Sequence, residues 1–172
     1  PSAIIEKALI TLDTTDPALA SNSSLEWSYY DPNSSIISQG GEVQDPYTII
    51  SANNTFGPGV KIRAAGIVVT EANGLSVKQN SIVVKTSTSG TSSIFDANET
   101  GDGVTVTEIP ANSGTHYVVM IYTIPATGDD SNANGDLTFE FTLEDDAGNE
   151  LDFDLDSNSG TSGFAITIDT TA

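Results

Sequence analysis

Alternation of apolar and polar residues with a period of two is the sequence feature that most constrains this fold. The stretches DLTFEFTLE (136–144) and ELDFDLD (150–156) alternate without a break. Successive side chains of a β-strand point to opposite faces of its sheet, so each stretch is predicted to be a strand with one buried face. The residues between them are rich in Asp, Gly and Asn, which favour tight turns. A β-hairpin formed by 136–144 and 149–155 is therefore predicted.

The same periodicity recurs along the chain, whereas helical periodicity is nearly absent. The best helical candidate, DPALASNSSLEW, contains too many Ser and Asn to extend beyond a turn or two. Short strands without helices between them predict an all-β fold, a single antiparallel β-sandwich of jelly-roll or Ig-like type. About ten strands are expected, the others being in KALITLD, SLEWSYY, VKIRAAGIVV, SIVVKTS, GVTVTEI, THYVVMIYTI and FAITID.

Charge is the outlying feature of the composition. The chain of 172 residues has 24 acidic and 5 basic residues, for a formal net charge of −19. Such a surface repels phosphate groups, so nucleic acid is not expected as a partner and anionic membrane surfaces are disfavoured. The chain contains no apolar run long enough to span a bilayer, so direct membrane insertion is not expected. Cations, either dissolved salt or bound calcium, are the natural counterparts.

The remaining composition favours a secreted protein, extracellular or at the cell surface. The chain has no cysteine, which excludes disulfides and thiol chemistry. It begins with Pro1, which fits a processed mature chain. Four N-x-S/T sequons are present, about as many as chance gives in a chain this rich in Asn, Ser and Thr. They are candidate glycosylation sites and not evidence of glycosylation: Asn22, Asn33, Asn53 and Asn98.

The loop DDSNANGD (129–136) has the most specific chemical pattern. It matches the first half of the D-x-[DN]-x-[DN]-G calcium loop, which supplies hard oxygens and a Gly for a sharp bend. An EF-hand is excluded because strands flank the loop and because Phe141 replaces the Glu at the twelfth position. A β-loop calcium site is predicted instead, the alternative being a solvated polar loop. The hairpin would bring 154–160 beside this loop, which gives as candidate ligands Asp129, Asp130, Asn132, Asn134, Asp136, Asp154 and Asp156.

Other candidate sites carry weaker patterns. The acidic stretches 96–103 and 144–149 are also calcium candidates. They are weaker than 129–136, because Asp and Gly are common in turns that bind no metal. His116 is the only histidine and shares a strand face with Val118, so a core-edge or surface role is expected and no enzyme activity is predicted. An aromatic platform for carbohydrate would need Trp27 and its neighbours exposed. The simpler interpretation places Trp27 and Tyr29 in the core and Tyr30 at an edge.

The two ends of the chain carry nearly the same phrase, ITLDTT at 10–15 and ITIDTT at 166–171. The final DTTA resembles the domain ends of tandem Ig-like repeats in bacterial surface adhesins, and EDDAGNE is similar to their penultimate hairpin. This resemblance covers about 35 C-terminal residues, from LTFEF onward. PANSGTHYVVMIYTIPA is similar to strands of secreted β-sandwiches, including bacterial and archaeal surface filament subunits. In several such filaments an N-terminal strand of one subunit completes the sheet of the next. The resemblance implies the same mode of assembly for this chain.

The repeated phrase suggests a division of the chain into a possible donor strand, 1–15, and a sandwich domain, 16–172. Donated to a neighbour, the first segment would bury Ile4, Ala8, Ile10 and Leu12 in that neighbour's core. The alternative is that both ends pair within one sheet. The expected function is a homopolymeric structural subunit of an extracellular filament, pilus or surface array. The alternative is a calcium-stabilised adhesin or carbohydrate-binding module.

Overall fold

Every secondary-structure element in the described part of the chain is a β-strand. A computed structural model describes residues 13–30, 47–95, 101–125, 134–156 and 165–170, and these contain twelve strands and no helix. The all-β prediction is thus confirmed. Within these ranges no helix has the length and hydropathy needed to cross a membrane. The strands are β1 (Ala18–Leu19), β2 (Glu26–Tyr30), β3 (Thr48–Ile49), β4 (Asn54–Phe56), β5 (Lys61–Thr70), β6 (Leu75–Val77), β7 (Val83–Thr86), β8 (Gly103–Glu108), β9 (Thr115–Thr123), β10 (Gly135–Asp145), β11 (Glu150–Asp156) and β12 (Ile166–Ile168).

The strands form two sheets. Sheet A has the order β3-β2-β5-β9-β8, with β1 also paired to β5. Sheet B has the order β11-β10-β12-β4, with β6 and β7 also paired to β10. The described pairs are antiparallel apart from β4 and β12, which run parallel. The architecture is therefore that of a β-sandwich in which antiparallel pairing dominates.

The core lies between the two sheets and is built from the alternating residues. Trp27 of sheet A is 2% exposed and its ring centroid lies 5.3 Å from that of Phe139 in sheet B. Tyr122 contacts Phe139 edge-on at 6.2 Å. The core placement of Trp27 is confirmed, and the half-buried Tyr29 packs 4.8 Å from Phe56 at the margin of the same core. The inward residues of β10 are also fully buried, as their alternation predicts: Leu137, Phe139, Phe141 and Leu143.

The predicted hairpin is present as the pair β10–β11. Its register runs from Thr138 opposite Asp156 to Glu144 opposite Glu150. The turn is closed by a hydrogen bond from the Gly148 N–H to the Asp145 carbonyl, 3.1 Å long. Phe141 and Phe153 stack at 4.8 Å across the pair. The local alternation and the turn composition were sufficient to fix this element.

The stretch DPALASNSSLEW contains no helix. It forms β1, a turn, and the start of β2. The turn segment lies on β5, where Ala20 N–H donates to the Val68 carbonyl (2.8 Å) and the Ser23 hydroxyl accepts from the Val68 N–H (3.1 Å). Val68 is therefore buried on the outer side of sheet A, while Ile67 and Val69 point into the core. Three consecutive apolar residues occur in β5 because it is covered on both sides at this point.

A β-bulge between Ala64 and Ile67 allows this packing. Gly66 lies in the bulge with φ of +78°, and a Cβ atom added there would be 2.0 Å from the Ser24 carbonyl oxygen. Gly59 has a similar φ of +82°, but no atom lies within 4 Å of its added Cβ. An alanine at either position would be strained by the positive φ, but only an alanine at Gly66 would also clash with a neighbouring atom.

We expect Gly66→Ala to destabilise the fold more than Gly59→Ala. Both substitutions pay the cost of a positive φ, about 1–3 kcal/mol, and Gly66→Ala adds an overpacking cost of about 1–3 kcal/mol. Urea denaturation of the two variants measures the difference in unfolding free energy. Equal losses in the two variants would show that the contact between the bulge and Ser24 is dispensable.

Candidate cation sites and an open sheet edge

Three carboxylates converge at one end of the sandwich. Asp13 precedes β1, Glu71 follows β5, and Asp145 ends β10. One oxygen of each lies within 4.8 Å of the others. Glu71 and Asp145 are only 6% and 4% exposed, and Asp13 is half-buried. We call these three residues the carboxylate cluster.

Asp145 is held in place by the turn that follows it. Its Oδ1 accepts hydrogen bonds from the Ala147 N–H (2.8 Å) and the Asn149 N–H (2.9 Å), and its Oδ2 accepts one from the Asn149 side chain (2.8 Å). Burial acts to raise the pKa of Asp145, but these hydrogen bonds outweigh burial and leave the pKa lowered. The ionised carboxylate is therefore the form that the fold stabilises.

Glu71 and Asp13 are both bonded to the turn after β5. Glu71 Oε1 accepts from the Asn73 N–H at 2.8 Å, and Asp13 Oδ2 accepts from the Asn73 side-chain amide. The Asn149 side chain also donates to the Thr15 carbonyl at 3.3 Å. These contacts fasten residues 13–15 to this end of their own sandwich.

His116 belongs to the same region and is 3% exposed. Its Nε2 lies 3.0 Å from the Glu71 carbonyl oxygen, where it supports the backbone that carries the Glu71 carboxylate. The contact is to a main-chain oxygen and gives His116 a structural role at the edge of the core, as its position on β9 predicts.

The chemistry of the carboxylate cluster suits a hard cation. Calcium binds six to eight oxygens of carboxylates, carbonyls and waters at about 2.3–2.6 Å. A cleft of about 440 Å³ adjoins the cluster and is lined in part by Asp13, Thr15, Glu71 and Asn73. Like charges this close repel one another unless a cation or protons compensate them. The cluster therefore has the ligand type, the space and the electrostatic reason to hold a divalent cation.

Sequence reasoning missed this cluster as a unit. Asp145 does fall in the stretch 144–149, a secondary calcium candidate, but Asp13 was assigned to the donor segment and Glu71 to no site. The three residues are far apart in the chain and have no ligand spacing. Only the pairing of β1 with β5 and the position of the β10–β11 turn bring them together.

The predicted loop site is partly described. Asp129, Asp130 and Asn132 lie outside the described residues. Asn134 Oδ1 accepts hydrogen bonds from the Thr170 N–H (2.7 Å) and hydroxyl (2.8 Å), and Asp136 Oδ1 accepts one from the Thr167 hydroxyl (3.1 Å). Both residues thus hold β12, and Thr170 just after it, against the start of β10.

The hairpin does bring the expected acids together. Asp136, Asp154 and Asp156 line one cleft of about 440 Å³, together with Lys85 and Glu140. Lys85 Nζ lies 2.5 Å from Glu140 Oε1 at this cleft. The stretch 96–103 is described only from residue 101 onward. Its Asp102 carboxylate accepts hydrogen bonds from the Thr123 N–H (2.6 Å) and hydroxyl (2.7 Å), and these bonds connect the start of β8 to β9.

The aromatic platform for carbohydrate is not formed as envisaged, because Trp27 is buried. Two tyrosines meet instead on the outer side of sheet A, where Tyr30 lies 6.0 Å from Tyr47 and the Arg63 guanidinium stacks over Tyr47 at 4.2 Å.

Of the sequons, Asn22 and Asn53 are exposed, whereas Asn33 and Asn98 lie outside the described residues. The Asn53 side chain accepts a hydrogen bond from the Ala165 N–H at 2.9 Å.

Strand β11 forms an edge of sheet B. Among the described strands β10 is its single partner. Leu151 and Phe153 are half-buried on the core side of this edge. β11 begins beside Asn149, whose side chain donates to the Thr15 carbonyl, so Thr15 lies at this end of the sandwich. The candidate assembly residues Ile4, Ala8, Ile10 and Leu12 precede that point and lie outside the described residues.

Comparison with known proteins returned no match: no family model, no curated protein and no solved structure is similar to this chain. The likeness to adhesin repeats and filament subunits rests on the short phrases quoted above. The β11 edge, the carboxylate cluster and the outer surfaces of the two sheets are the features of the described residues that bear on function.

The lowered pKa of Asp145 predicts how Asp145→Asn changes the pH dependence of stability. A carboxyl group whose pKa is lower in the folded state adds stability above its unfolded pKa, about 3.9, and loses it as the pH falls through the folded value. We expect Asp145→Asn to be less stable than the parent at pH 7, with the difference shrinking below about pH 4. Chemical denaturation across pH 2–8 measures this. The exposed Asp154→Asn is the control, and a pH-independent loss in Asp145→Asn would exclude ionisation as the cause.

Proposed function

We propose that this protein is a secreted structural subunit of an extracellular filament, pilus or surface array, in which copies join by β-strand addition. The N-terminal segment of one copy would pair with β11 of the next. The observation that carries this proposal is the β11 edge, where Leu151 and Phe153 remain half-buried on the core side. Edge strands with apolar side chains are the usual acceptors of an added strand.

The N-terminal segment has the composition to fill that edge. Its alternation places Ile4, Ala8, Ile10 and Leu12 on a common side. Burying the three large aliphatic side chains would contribute about 1.5–3 kcal/mol each, and new ladder hydrogen bonds would add about 0.5–1.5 kcal/mol each. These terms are large enough to offset the ordering of a short segment, which costs about 1–2 kcal/mol per residue.

The contacts of residues 13–15 support the proposal because they fix the point from which residues 1–12 would extend to a neighbour. Asp13 and Thr15 are bonded to Asn73 and Asn149, and Pro17 is buried just beyond them. A strand that starts from a fixed point needs less ordering when it meets an acceptor. The proposal includes no catalytic step and no nucleic-acid partner, since the surface carries a net charge of −19.

We expect Ile10→Asp to abolish assembly, because it places a charge in the acceptor's core. Thr11→Asp adds the same charge one residue away, on the opposite face of the predicted strand, and should retain assembly. Negative-stain microscopy and sedimentation of the full chain measure the outcome. Assembly of the Ile10→Asp protein at the parent level would refute strand addition by this segment.

A calcium-stabilised adhesin or carbohydrate-binding module is the second candidate function, and the carboxylate cluster favours it. A cation bound there would join Asp13, Glu71 and Asp145 and so clamp the N-terminal segment, β5 and β10 together. The same cation would be compatible with a filament subunit, where it would stabilise the exit point of the donor strand. Calcium at this cluster is therefore a proposal common to both functions.

We expect calcium to raise the melting temperature and Glu71→Gln to remove most of that increase. A ligand at about 100 times its Kd stabilises the folded state by about 2.7 kcal/mol. Asp154→Asn is the matched control, because Asp154 lines the other acidic cleft. Calorimetric titration and thermal unfolding with and without a chelator measure both effects. If Asp154→Asn loses the increase in melting temperature and Glu71→Gln keeps it, the calcium site lies at the loop 129–136 and not at the carboxylate cluster. If no calcium binds in the millimolar range, the proposed calcium site is wrong.

A further inference from the structure

The outer face of sheet A differs from the rest of this acidic molecule. Ile49, Ser28, Arg63 and Ile121 are direct cross-strand neighbours and form one row across β3, β2, β5 and β9. Ile49 is 60% exposed at one end of the row, and Ile121 is half-buried. Val119 and Tyr117 extend the apolar surface along β9 on the same face, and Tyr117 is 42% exposed.

This face also carries a concentration of positive charge. Lys61 and Arg63, two of the 5 basic residues of the chain, point outward from β5. Among the outward positions of the described strands of sheet A, Glu26 is the one acidic residue. Arg63 is already fixed, since its Nε donates to the Ser28 hydroxyl at 2.9 Å and its guanidinium stacks on Tyr47. Ordered Arg and Tyr side chains among apolar residues are the composition of the centre of a protein interface.

The outer face of sheet B has the opposite character. Glu140 lies directly opposite Asp154, and Glu144 directly opposite Glu150, on neighbouring strands. Like charges in such pairs destabilise a sheet. Lys78 and Lys85 each contact one of these acids, Glu150 and Glu140, and the outward face still holds more carboxylates than lysines. An external positive surface would relieve this repulsion.

We propose that the outer face of sheet A docks on the outer face of sheet B of a second copy of this chain. This proposal deepens the proposed function, because it adds a second contact between subunits to the strand addition. The net charge of −19 on each copy opposes association, but charges separated by more than the Debye length, about 8 Å at physiological ionic strength, are largely screened. Local pairing of Arg63 and Lys61 with the carboxylates of sheet B therefore decides the contact.

The size of the face approaches that of a specific interface. The strands β3, β2, β5, β9 and β8 are two, five, ten, nine and six residues long, so at about 3.4 Å per residue and 4.8 Å between strands they span roughly 500 Å². Stable interfaces bury about 800 Å² of accessible surface on each partner, and a corrugated sheet face exposes more than its projected area. The contact joins two different faces, so repetition from copy to copy propagates along a chain of subunits.

Cross-linking of single-cysteine variants tests this docking directly, because the chain has no native cysteine. Ile121→Cys marks the face of sheet A, and Thr142→Cys marks the face of sheet B. The control is the exposed Ala52→Cys, in the loop that connects β3 of sheet A to β4 of sheet B. With a short bismaleimide, we expect a mixture of Ile121→Cys and Thr142→Cys to give several-fold more dimer than either variant alone or than a mixture with Ala52→Cys. Dimer from Ile121→Cys alone would show the face docking on itself and would overturn the proposal, as would equal yields in all mixtures.

A charge exchange supplies an independent test. Arg63→Glu and Asp154→Arg should each weaken association about tenfold or more, because each sets like charges against one another. The double variant on one chain should recover assembly, and so should an equal mixture of the two single variants, because every contact between unlike variants sets opposite charges against one another. A folding defect in Arg63→Glu would not be rescued by a change on the opposite sheet, so failure of the double variant to recover contradicts the docking. Repeating the cross-linking in the Ile10→Asp protein distinguishes strand addition from face docking. If the cross-link between the two faces is retained there, the faces dock whether or not strand addition occurs.

Discussion

The pairing of β10 with four other strands is the interaction on which the rest of the sandwich depends. β11, β7, β6 and β12 each pair with a stretch of β10, and β7 and β6 share one side of it. Its inward side chains are fully buried, and Phe139 contacts both Trp27 and Tyr122 of the facing sheet. One strand therefore sets the register of sheet B and the packing between the sheets.

The carboxylates of this chain divide into two groups with different physical roles. Those at turns accept backbone N–H bonds, as Asp145 does after β10 and as Glu108 does after β8. The N–H of Gly114 donates to Glu108 at 2.8 Å and, with that of Asn112, lowers the pKa of Glu108. Those on the outer face of sheet B oppose one another across strands. The first group stabilises the fold, whereas the second creates a surface that favours a positively charged neighbour.

The two proposed contacts between subunits involve different parts of the molecule. Thr15 is bonded by Asn149 beside the β10–β11 turn, at the same end as the start of β11. The apolar and cationic face of sheet A and the acidic face of sheet B lie on opposite sides of the core. The proposed strand addition would use the β11 edge and the proposed docking would use the two outer faces, so the two contacts would not compete for one surface. The carboxylate cluster includes Asp13, so a cation bound there would hold the first described residues against the sandwich.

The sequence by itself determined the longer strands, the β10–β11 hairpin and most of the core, since these depend on local alternation and turn composition. It did not predict the short strands β1, β3, β4 and β6, which depend on their partners in the sheets. Leu137 and Phe139 are buried because every second residue of a strand points the same way. Tertiary structure alone decided which strands pair, including the parallel contact of β4 with β12, and how the carboxylate cluster forms. It also gave Asn134 its bonds to Thr170, where the sequence pattern suggested only a calcium ligand. Contacts between residues far apart in the chain have no local signature, because they arise from the relative positions of whole strands and not from the spacing of residues.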